Sequence, residues 1–275
     1  MNNLLKQFLD KLVKKYEITD FINSDPVQFP HRFSIKIDQE VSGLISSCLA
    51  YGKREKIIED VEIIHKLMNY KPAEFAKNFD LKKDLKYFAN FRHRYTEGKD
   101  VAMLIHLIGR VLLVYEGLEN AFLSGYSDMD SNIKPALISF VNILKSYIPE
   151  DEENISGINY LLPSPEKGSA CKRLNLFLKW MVRPGPVDLN IWKQISASKL
   201  IIPLDTHVAR LSRKLNLVSR KADDWKTAEE ITENLKKFDS ADPVKYDFAI
   251  FGLGITGEDK TLADYSIVNE LNNYT

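Results

Sequence analysis

The segment from Ile201 to Leu217 reads IIPLDTHVARLSRKLNL and has the pattern of a helix that starts at an aspartate. An apolar run ends at Pro203, and a single acid, Asp205, follows it. Aspartate is a preferred N-cap, because its carboxylate accepts hydrogen bonds from the first helical turn and the helix dipole favours its ionised form. The positions after it separate at helical spacing into an apolar side and a basic side, namely Val208, Leu211, Leu215 and Leu217 against Arg210, Arg213 and Lys214. This pattern predicts a fixed carboxylate beside a basic helix, an arrangement suited to a polyanionic substrate.

The composition is that of a globular protein with a large core. The chain has 275 residues, of which 44% are hydrophobic, enough for one large domain or two smaller lobes. No apolar run is long enough for a membrane span, and the first residues predict an amphipathic helix rather than a signal peptide, so we expect a soluble, cytoplasmic protein. The two cysteines, Cys48 and Cys171, are too few for a disulfide framework, a four-cysteine zinc site or a four-cysteine iron–sulfur cluster.

Positive charge is concentrated in one part of the chain, although the net charge is zero. From Lys167 to Lys221 there are twelve basic residues against two acidic ones, a net charge of +10. The bases are Lys167, Lys172, Arg173, Lys179, Arg183, Lys193, Lys199, Arg210, Arg213, Lys214, Arg220 and Lys221. A basic tract of this kind is the footprint of a partner with a phosphate backbone, although charged helix faces are more often plain solvated surface.

Apolar residues recur at three- and four-residue spacing along most of the chain, and no long alternation typical of strands is present. The chain is therefore expected to be almost all helical. Tyr51 and Gly52 are predicted to lie in a tight turn between two helices. Residues 91–95, FRHRY, are interpreted either as the end of a helix or as a cluster that grips nucleic acid. Residues 188–195, which carry Trp192, are predicted to form a short helix.

Two segments carry a specific resemblance. Residues 203–210 read PLDTHVAR, a Pro-x-Asp-x-x-x-x-Arg pattern after an apolar run, and Lys172 heads the helical segment KRLNLFLKWM. Both resemble the helix-hairpin-helix DNA glycosylase superfamily, the fold of endonuclease III and the 8-oxoguanine glycosylases, in which these elements deliver an aspartate and a lysine. The family's Leu-Pro-Gly-x-Gly hairpin is replaced here by residues 162–168, LPSPEKG. The separation of Lys172 from Asp205 is similar to that in an archaeal 8-oxoguanine glycosylase group.

The resemblance implies an all-α, two-lobed helix-hairpin-helix DNA glycosylase-like fold with the cleft between the lobes. Residues 34–195 would form the central lobe, which includes the hairpin-like turn and the Lys172 helix. Residues 1–33 and 196–275 would form the second lobe from both termini. Residues 43–52, GLISSCLAYG, resemble the helix and loop that push a side chain into the base stack, with Tyr51 at the wedge position. The whole chain is also similar to a bacterial family of helix-hairpin-helix-like proteins with no assigned activity.

The activity implied by the resemblance is base-excision repair of double-stranded DNA that carries a damaged base, by a monomer in the cytoplasm or on the nucleoid. Lys172 would form a Schiff base with the sugar, which would add AP-lyase activity, and Asp205 would stabilise the cationic sugar. The implied substrate-binding residues are Tyr51, His207, Arg210, Lys167 and Arg173. No organic cofactor, metal centre or iron–sulfur cluster is implied, and a monovalent cation at the hairpin is left open.

Each of these residues also has a purely structural interpretation. Lys172 has the pattern of a solvent-exposed helix lysine, and Asp205 of an N-cap without chemistry. His207 either contacts a phosphate, orients Asp205 or is simply packed, and Tyr51 is either a wedge or an aromatic that fills the turn. For the whole protein, the alternatives are a catalytically silent nucleic-acid-binding protein that keeps the fold and a helical scaffold with no nucleic-acid partner.

Overall fold

A computed structural model describes residues 3–256, and these form fourteen α-helices and two short β-strands. In chain order they are α1 (Asn3–Tyr16), α2 (Gln28–His31), α3 (Lys36–Cys48), α4 (Arg54–Leu67), α5 (Pro72–Asn78), α6 (Leu81–Asp84), β1 (Arg92–His93), β2 (Thr96–Glu97), α7 (Gly98–Tyr115), α8 (Leu118–Leu123), α9 (Lys134–Lys145), α10 (Ser156–Leu161), α11 (Lys172–Val182), α12 (Thr206–Lys214), α13 (Trp225–Lys236) and α14 (Tyr246–Thr256). Short 3-10 helices lie at Thr19–Ser24, Leu85–Phe88, Pro165–Lys167, Ala197–Lys199 and Pro243–Lys245. The prediction of an all-α chain is confirmed. No helix within residues 3–256 is both long enough and apolar enough to cross a bilayer.

The described chain divides into two compact units. The terminal unit consists of residues 3–21 and 168–256 and contains α1 and α11 to α14. The inner unit is Ile22–Lys167, with α2 to α10 and both strands. Lys172 and Asp205 both belong to the terminal unit.

The inner unit is built around α7, the longest helix described. Its apolar residues are buried on several sides, and it packs against α5, α8, α9 and α10. A capping box fixes its first turn, because the backbone N–H of Glu97 donates to the Asp100 carboxylate at 2.8 Å and the Glu97 side chain accepts in return. Glu97 also ends β2, so the cap joins the strand pair to the core helix.

In the terminal unit, α14 packs against both α1 and α12. A Cβ atom at Gly252 would lie 2.3 Å from the Tyr16 ring, so glycine is needed for α1 to approach this closely. The Tyr246 hydroxyl donates to Asp10 of α1 at 2.9 Å, a second link between the same helices. Together these contacts hold α14 in place, and α14 carries the buried acid Asp247.

The predicted helix at residues 188–195 is wrong, because this segment has no helical structure. Its backbone bonds to the end of α11 instead. The N–H of Leu189 donates to the carbonyl of Trp180 at 2.8 Å, and the N–H of Trp192 donates to the carbonyl of Met181 at 2.9 Å. These bonds use donors that a helix would need for its own turns.

Candidate active site

Asp205 forms the N-cap of α12, as the sequence predicts. Its Oδ1 accepts a hydrogen bond from the backbone N–H of Val208 at 2.8 Å, and its backbone is extended where the helix begins. Pro203 and Leu204 before it are buried, which anchors the approach to the helix. Oδ2 has no hydrogen-bond donor among the residues that the structure describes, so the half-buried carboxylate keeps one oxygen for another partner.

Lys172 is the first residue of α11 and is half-buried. The residue before it, Cys171, has φ 49°, a left-handed backbone conformation that residues other than glycine seldom adopt. The side chain of Asn175 donates to the carbonyl of Ala170 at 3.0 Å, one turn back, which steadies this sharp entry into the helix. The lysine is therefore placed by a defined turn.

The carboxyl group of Asp247 is affected by the charges of both predicted catalytic residues, Lys172 and Asp205. Burial raises the pKa of its carboxyl group to about 7. The positive charges of Lys179 and Lys172 act against this shift, whereas the negative charges of Asp205 and Asp188 add to it. The geometry agrees with this for the helices that carry these residues, because α14 packs against α12 and its Asp247 lies 3.8 Å from Lys179 of α11.

Lys179 lies beside Asp247 in the interior of the terminal unit. Its side chain is 2% exposed, and its Nζ lies 3.2 Å from Asp188 Oδ1 and 3.8 Å from Asp247 Oδ2. The ammonium also lies 3.7 Å from the centroid of the Phe248 ring, a cation–π contact. A buried ammonium needs such partners, since removing it from water is costly.

Arg183 extends this group of buried charges. Its Nη1 lies 2.8 Å from Asp188 Oδ2 and 2.5 Å from Glu17 Oε1, and its Nε donates to both carboxylate oxygens of Asp242 at 3.0 Å. Burial raises the pKa of Asp242, and the Arg183 charge opposes that shift. We call Lys179, Arg183, Glu17, Asp188, Asp242 and Asp247 the buried ion cluster.

The sequence interpretation missed this cluster, because it counted Lys179 and Arg183 only as members of the basic tract. A signal was present: Lys179 lies inside the apolar run LFLKWMV, and such a position on a helix is normally buried. The acids are distant in sequence, with Asp242 59 positions and Glu17 166 positions from Arg183. The pairing therefore depends on the tertiary structure and cannot be inferred from spacing.

The basic tract does not form one continuous surface. Arg173, Lys179 and Arg183 are buried, and Arg213 binds the loop after α12. Arg213 donates to the carbonyls of Arg220, Lys221 and Ala222 and to the carboxylate of Asp223. The exposed bases of the tract are Lys167, Lys193, Arg210, Lys214 and Lys221. The positive charge available to a polyanion is thus smaller than the sequence count.

Three of the predicted substrate-binding residues belong to the terminal unit. His207 and Arg210 are exposed on α12, close to Asp205 in sequence. Arg173 follows Lys172 on α11, but the residue is buried, with 9% of its surface exposed. Their roles in substrate binding stay predictions.

The other two predicted binding residues belong to the inner unit. Tyr51 is half-buried, and its hydroxyl is bonded to the carbonyl of His93 at 2.9 Å and to Oγ1 of Thr96 at 2.7 Å. Lys167 is exposed at the end of a 3-10 helix. The wedge function of Tyr51 stays a prediction.

The hairpin-like turn at residues 162–168 has one glycine where the family's hairpin has two, and residues Pro165–Lys167 form a 3-10 helix. Gly168 has φ 82°, and its carbonyl accepts a hydrogen bond from the N–H of Trp225 at 3.0 Å.

Within residues 3–256, no group of three or more His, Cys, Asp or Glu side chains has the arrangement of a metal site. The monovalent cation that the resemblance leaves open at this turn stays a prediction.

The comparisons with known proteins give one match. No curated protein and no solved structure matched the chain. Residues 25–256 match the family described as "Protein of unknown function (DUF2400)", which covers more than half of the sequence. The chain therefore belongs to the DUF2400 family.

Proposed function

We propose that this protein is a DNA glycosylase that removes a damaged base from double-stranded DNA, with Lys172 as the nucleophile. The observation that supports the proposal is that α11, which begins at Lys172, and α12, which Asp205 caps, both contact α14, whose Asp247 responds to the charges of both residues. Both residues lie at helix N-termini of the same unit, which are positions that hold functional groups in fixed directions. The proposal includes action as a monomer in the cytoplasm.

The proposed reaction begins when the damaged nucleotide leaves the base stack, because the sugar is otherwise out of reach. The neutral amine of Lys172 attacks C1′, the bond between C1′ and the base breaks, and the base leaves with the bonding electrons and gains a proton. Loss of the amine proton and opening of the sugar ring give a Schiff base. Removal of a C2′ proton then releases the 3′ phosphate by β-elimination, which is the lyase step.

Asp205 and Asp247 have distinct parts in this proposal. Positive charge develops on the sugar as the base leaves, and a carboxylate fixed by a helix cap stabilises it without reorganisation. Asp205 has this geometry. Asp247 has a pKa of about 7, so it exchanges protons near neutral pH and is suited to receive the proton that Lys172 must lose.

The test is covalent trapping. Duplexes with 8-oxoguanine, an oxidised pyrimidine, uracil or an abasic site are incubated with the protein and borohydride, which reduces a Schiff base to a stable adduct. The wild type should form an adduct with at least one duplex, and Lys172→Ala should form none. Lys193→Ala, which removes an exposed lysine of the same tract, is the matched control and should trap like the wild type. Absence of any adduct, or undiminished trapping by Lys172→Ala, would contradict the lyase proposal.

A second candidate is a nucleic-acid-binding protein that keeps the fold without catalysis. The turn at residues 162–168 favours it, because Gly168 is the single glycine there. In that case DNA binding should depend steeply on salt, no base should be released, and Asp205→Asn should leave the affinity unchanged. Release of a base from any lesion would exclude this candidate.

A further inference from the structure

The inner unit carries a β-hairpin that the excision chemistry does not use. Strands Arg92–His93 and Thr96–Glu97 pair antiparallel, with Arg92 opposite Glu97 and His93 opposite Thr96. Arg94 and Tyr95 form the two-residue tip, and Arg94 has φ 52°, which matches the tight turn. Tyr95 is 73% exposed, although a tyrosine ring is mostly apolar surface.

The hairpin is held by buried polar contacts at its base. The ring of His93 is bonded through Nδ1 to Asp60 at 2.7 Å and through Nε2 to the carbonyl of Tyr51 at 2.9 Å. Lys56 Nζ lies 2.8 Å from the other oxygen of Asp60, and the Tyr51 hydroxyl bonds to Thr96 on the second strand. These bonds leave the strands little freedom, so the tip is presented in a fixed orientation.

The tip forms an aromatic and cationic group with its neighbours. The Arg94 guanidinium lies 5.5 Å from the centroid of the Tyr95 ring. The Tyr160 ring, which is 41% exposed, lies edge-on to Tyr95 at 6.5 Å and edge-on to Tyr51 at 5.3 Å. A Cβ at Gly52 would lie 2.8 Å from Arg94 Cδ, so the glycine makes room for the arginine stem.

An open groove of about 740 Å³ lies beside the hairpin. Its charged lining residues are Lys82, Lys86, Arg92, Lys99 and Glu97. Arg92 and Glu97 belong to both the groove and the strands, so the groove continues into the hairpin. Lys82 is paired with Asp151 at 3.5 Å and Lys99 with Glu97 at 3.3 Å, so the positive charge offered to a phosphate backbone comes mainly from Lys86 and Arg92.

We propose that the hairpin and this groove bind single-stranded nucleic acid, with a base stacked on Tyr95 and the backbone phosphates near Lys86 and Arg92. Exposed aromatics beside cations are the usual means of holding single strands, because every base offers a flat face. In a duplex those faces are covered by neighbouring bases. The site goes beyond the proposed glycosylase, since it uses neither Lys172 nor Asp205.

The test measures binding of a fluorescein-labelled oligothymidylate of about 12 nucleotides to the full chain by fluorescence anisotropy. Tyr95→Ala should weaken binding about ten-fold, and Tyr95→Phe should bind like the wild type, since stacking needs the ring and not the hydroxyl. Lys86→Gln should lower the slope of log affinity against log salt by about 0.7. Lys172→Ala should bind unchanged, which separates this site from the excision proposal. Circular dichroism confirms that each variant is folded.

Three results would overturn the proposal. The first is failure of the wild type to bind the oligonucleotide at low salt. The second is equal binding by Tyr95→Ala and the wild type, which would exclude stacking. The third is equally effective displacement of the oligonucleotide by polyglutamate, which would make the surface a general anion site.

Discussion

The ammonium of Lys179 lies 3.8 Å from the carboxylate of Asp247, and these side chains are 2% and 12% exposed. Such a pair is surrounded by little water, so each charge acts strongly on its neighbours. Asp247 responds to Lys172 and Asp205 as well. The buried ion cluster is therefore electrostatically linked to the two residues to which we assign the chemistry.

The pH dependence of stability should reveal Asp247 directly. Its pKa is raised from 3.8 to about 7 by burial, so between these values the folded protein holds a proton that the unfolded chain has lost. Its contribution to stability is fully present below about pH 4 and is lost as pH rises through about 7. Urea unfolding of the wild type and Asp247→Asn across this range should show a stability difference that changes with pH. Parallel stability curves would show that the carboxyl group titrates normally.

Asp188 should be the acid on which the buried ion cluster most depends, because it contacts both Lys179 and Arg183 and its side chain is 0% exposed. Asp188→Asn keeps the size and shape of the side chain but removes the negative charge that faces two buried cations. It should lower the free energy of unfolding by about 3–5 kcal/mol. Asp223→Asn removes an acid from an ion pair with Arg213 that is much more exposed, and should cost less than about 1 kcal/mol. Equal effects in urea unfolding would mean that burial does not matter here.

Asp205 should show separate structural and catalytic contributions. Asparagine caps helices about as well as aspartate, so Asp205→Asn should leave stability nearly unchanged, whereas Asp205→Ala should cost about 1 kcal/mol. Both variants remove the negative charge, so both should slow base release by a factor of about 100 or more. Thermal unfolding and single-turnover base release measure the two effects. Normal base release by Asp205→Asn would reduce the residue to a cap.

Arg210 and Arg213 are both basic positions of α12, but Arg210 is exposed and Arg213 is half-buried. Arg213 binds carbonyl groups of the following loop, so Arg213→Gln should destabilise the protein by about 1–2 kcal/mol. Arg210 is exposed, where solvent screens an ion pair, so Arg210→Gln should change stability by less than about 1 kcal/mol. It should instead lower the salt slope of duplex DNA binding by about 1. Reversed effects would contradict the assignment of the two side chains.

Local sequence patterns predicted the helices well where the determining contacts are local. The cap at Asp205 depends on a residue three positions away, and the turn at Tyr51 and Gly52 lies between α3 and α4 as expected. The hairpin at residues 92–97 was not predicted, because two-residue strands are too short to show an alternation. Its support comes from Asp60, 33 positions from His93.

The candidate site was predictable only in part, for the same reason. Lys172 and Asp205 were predicted from sequence motifs. Asp247 lies in the apolar helix α14, where no sequence motif marks it. The count of basic residues overestimated the charge available to a polyanion. Lys179 and Arg183 are neutralised by acids that the fold brings together from distant segments. Local spacing carries no information about such pairs.

The central claim is that Lys172 forms a covalent bond to the sugar. The most direct measurement is mass-spectrometric location of the borohydride-reduced adduct after digestion of the trapped complex with nuclease and protease. We predict that the deoxyribose remnant is on the peptide that contains Lys172, at that residue. A remnant on a different lysine or on the N-terminal amine, or no adduct with any lesion, would contradict the assignment.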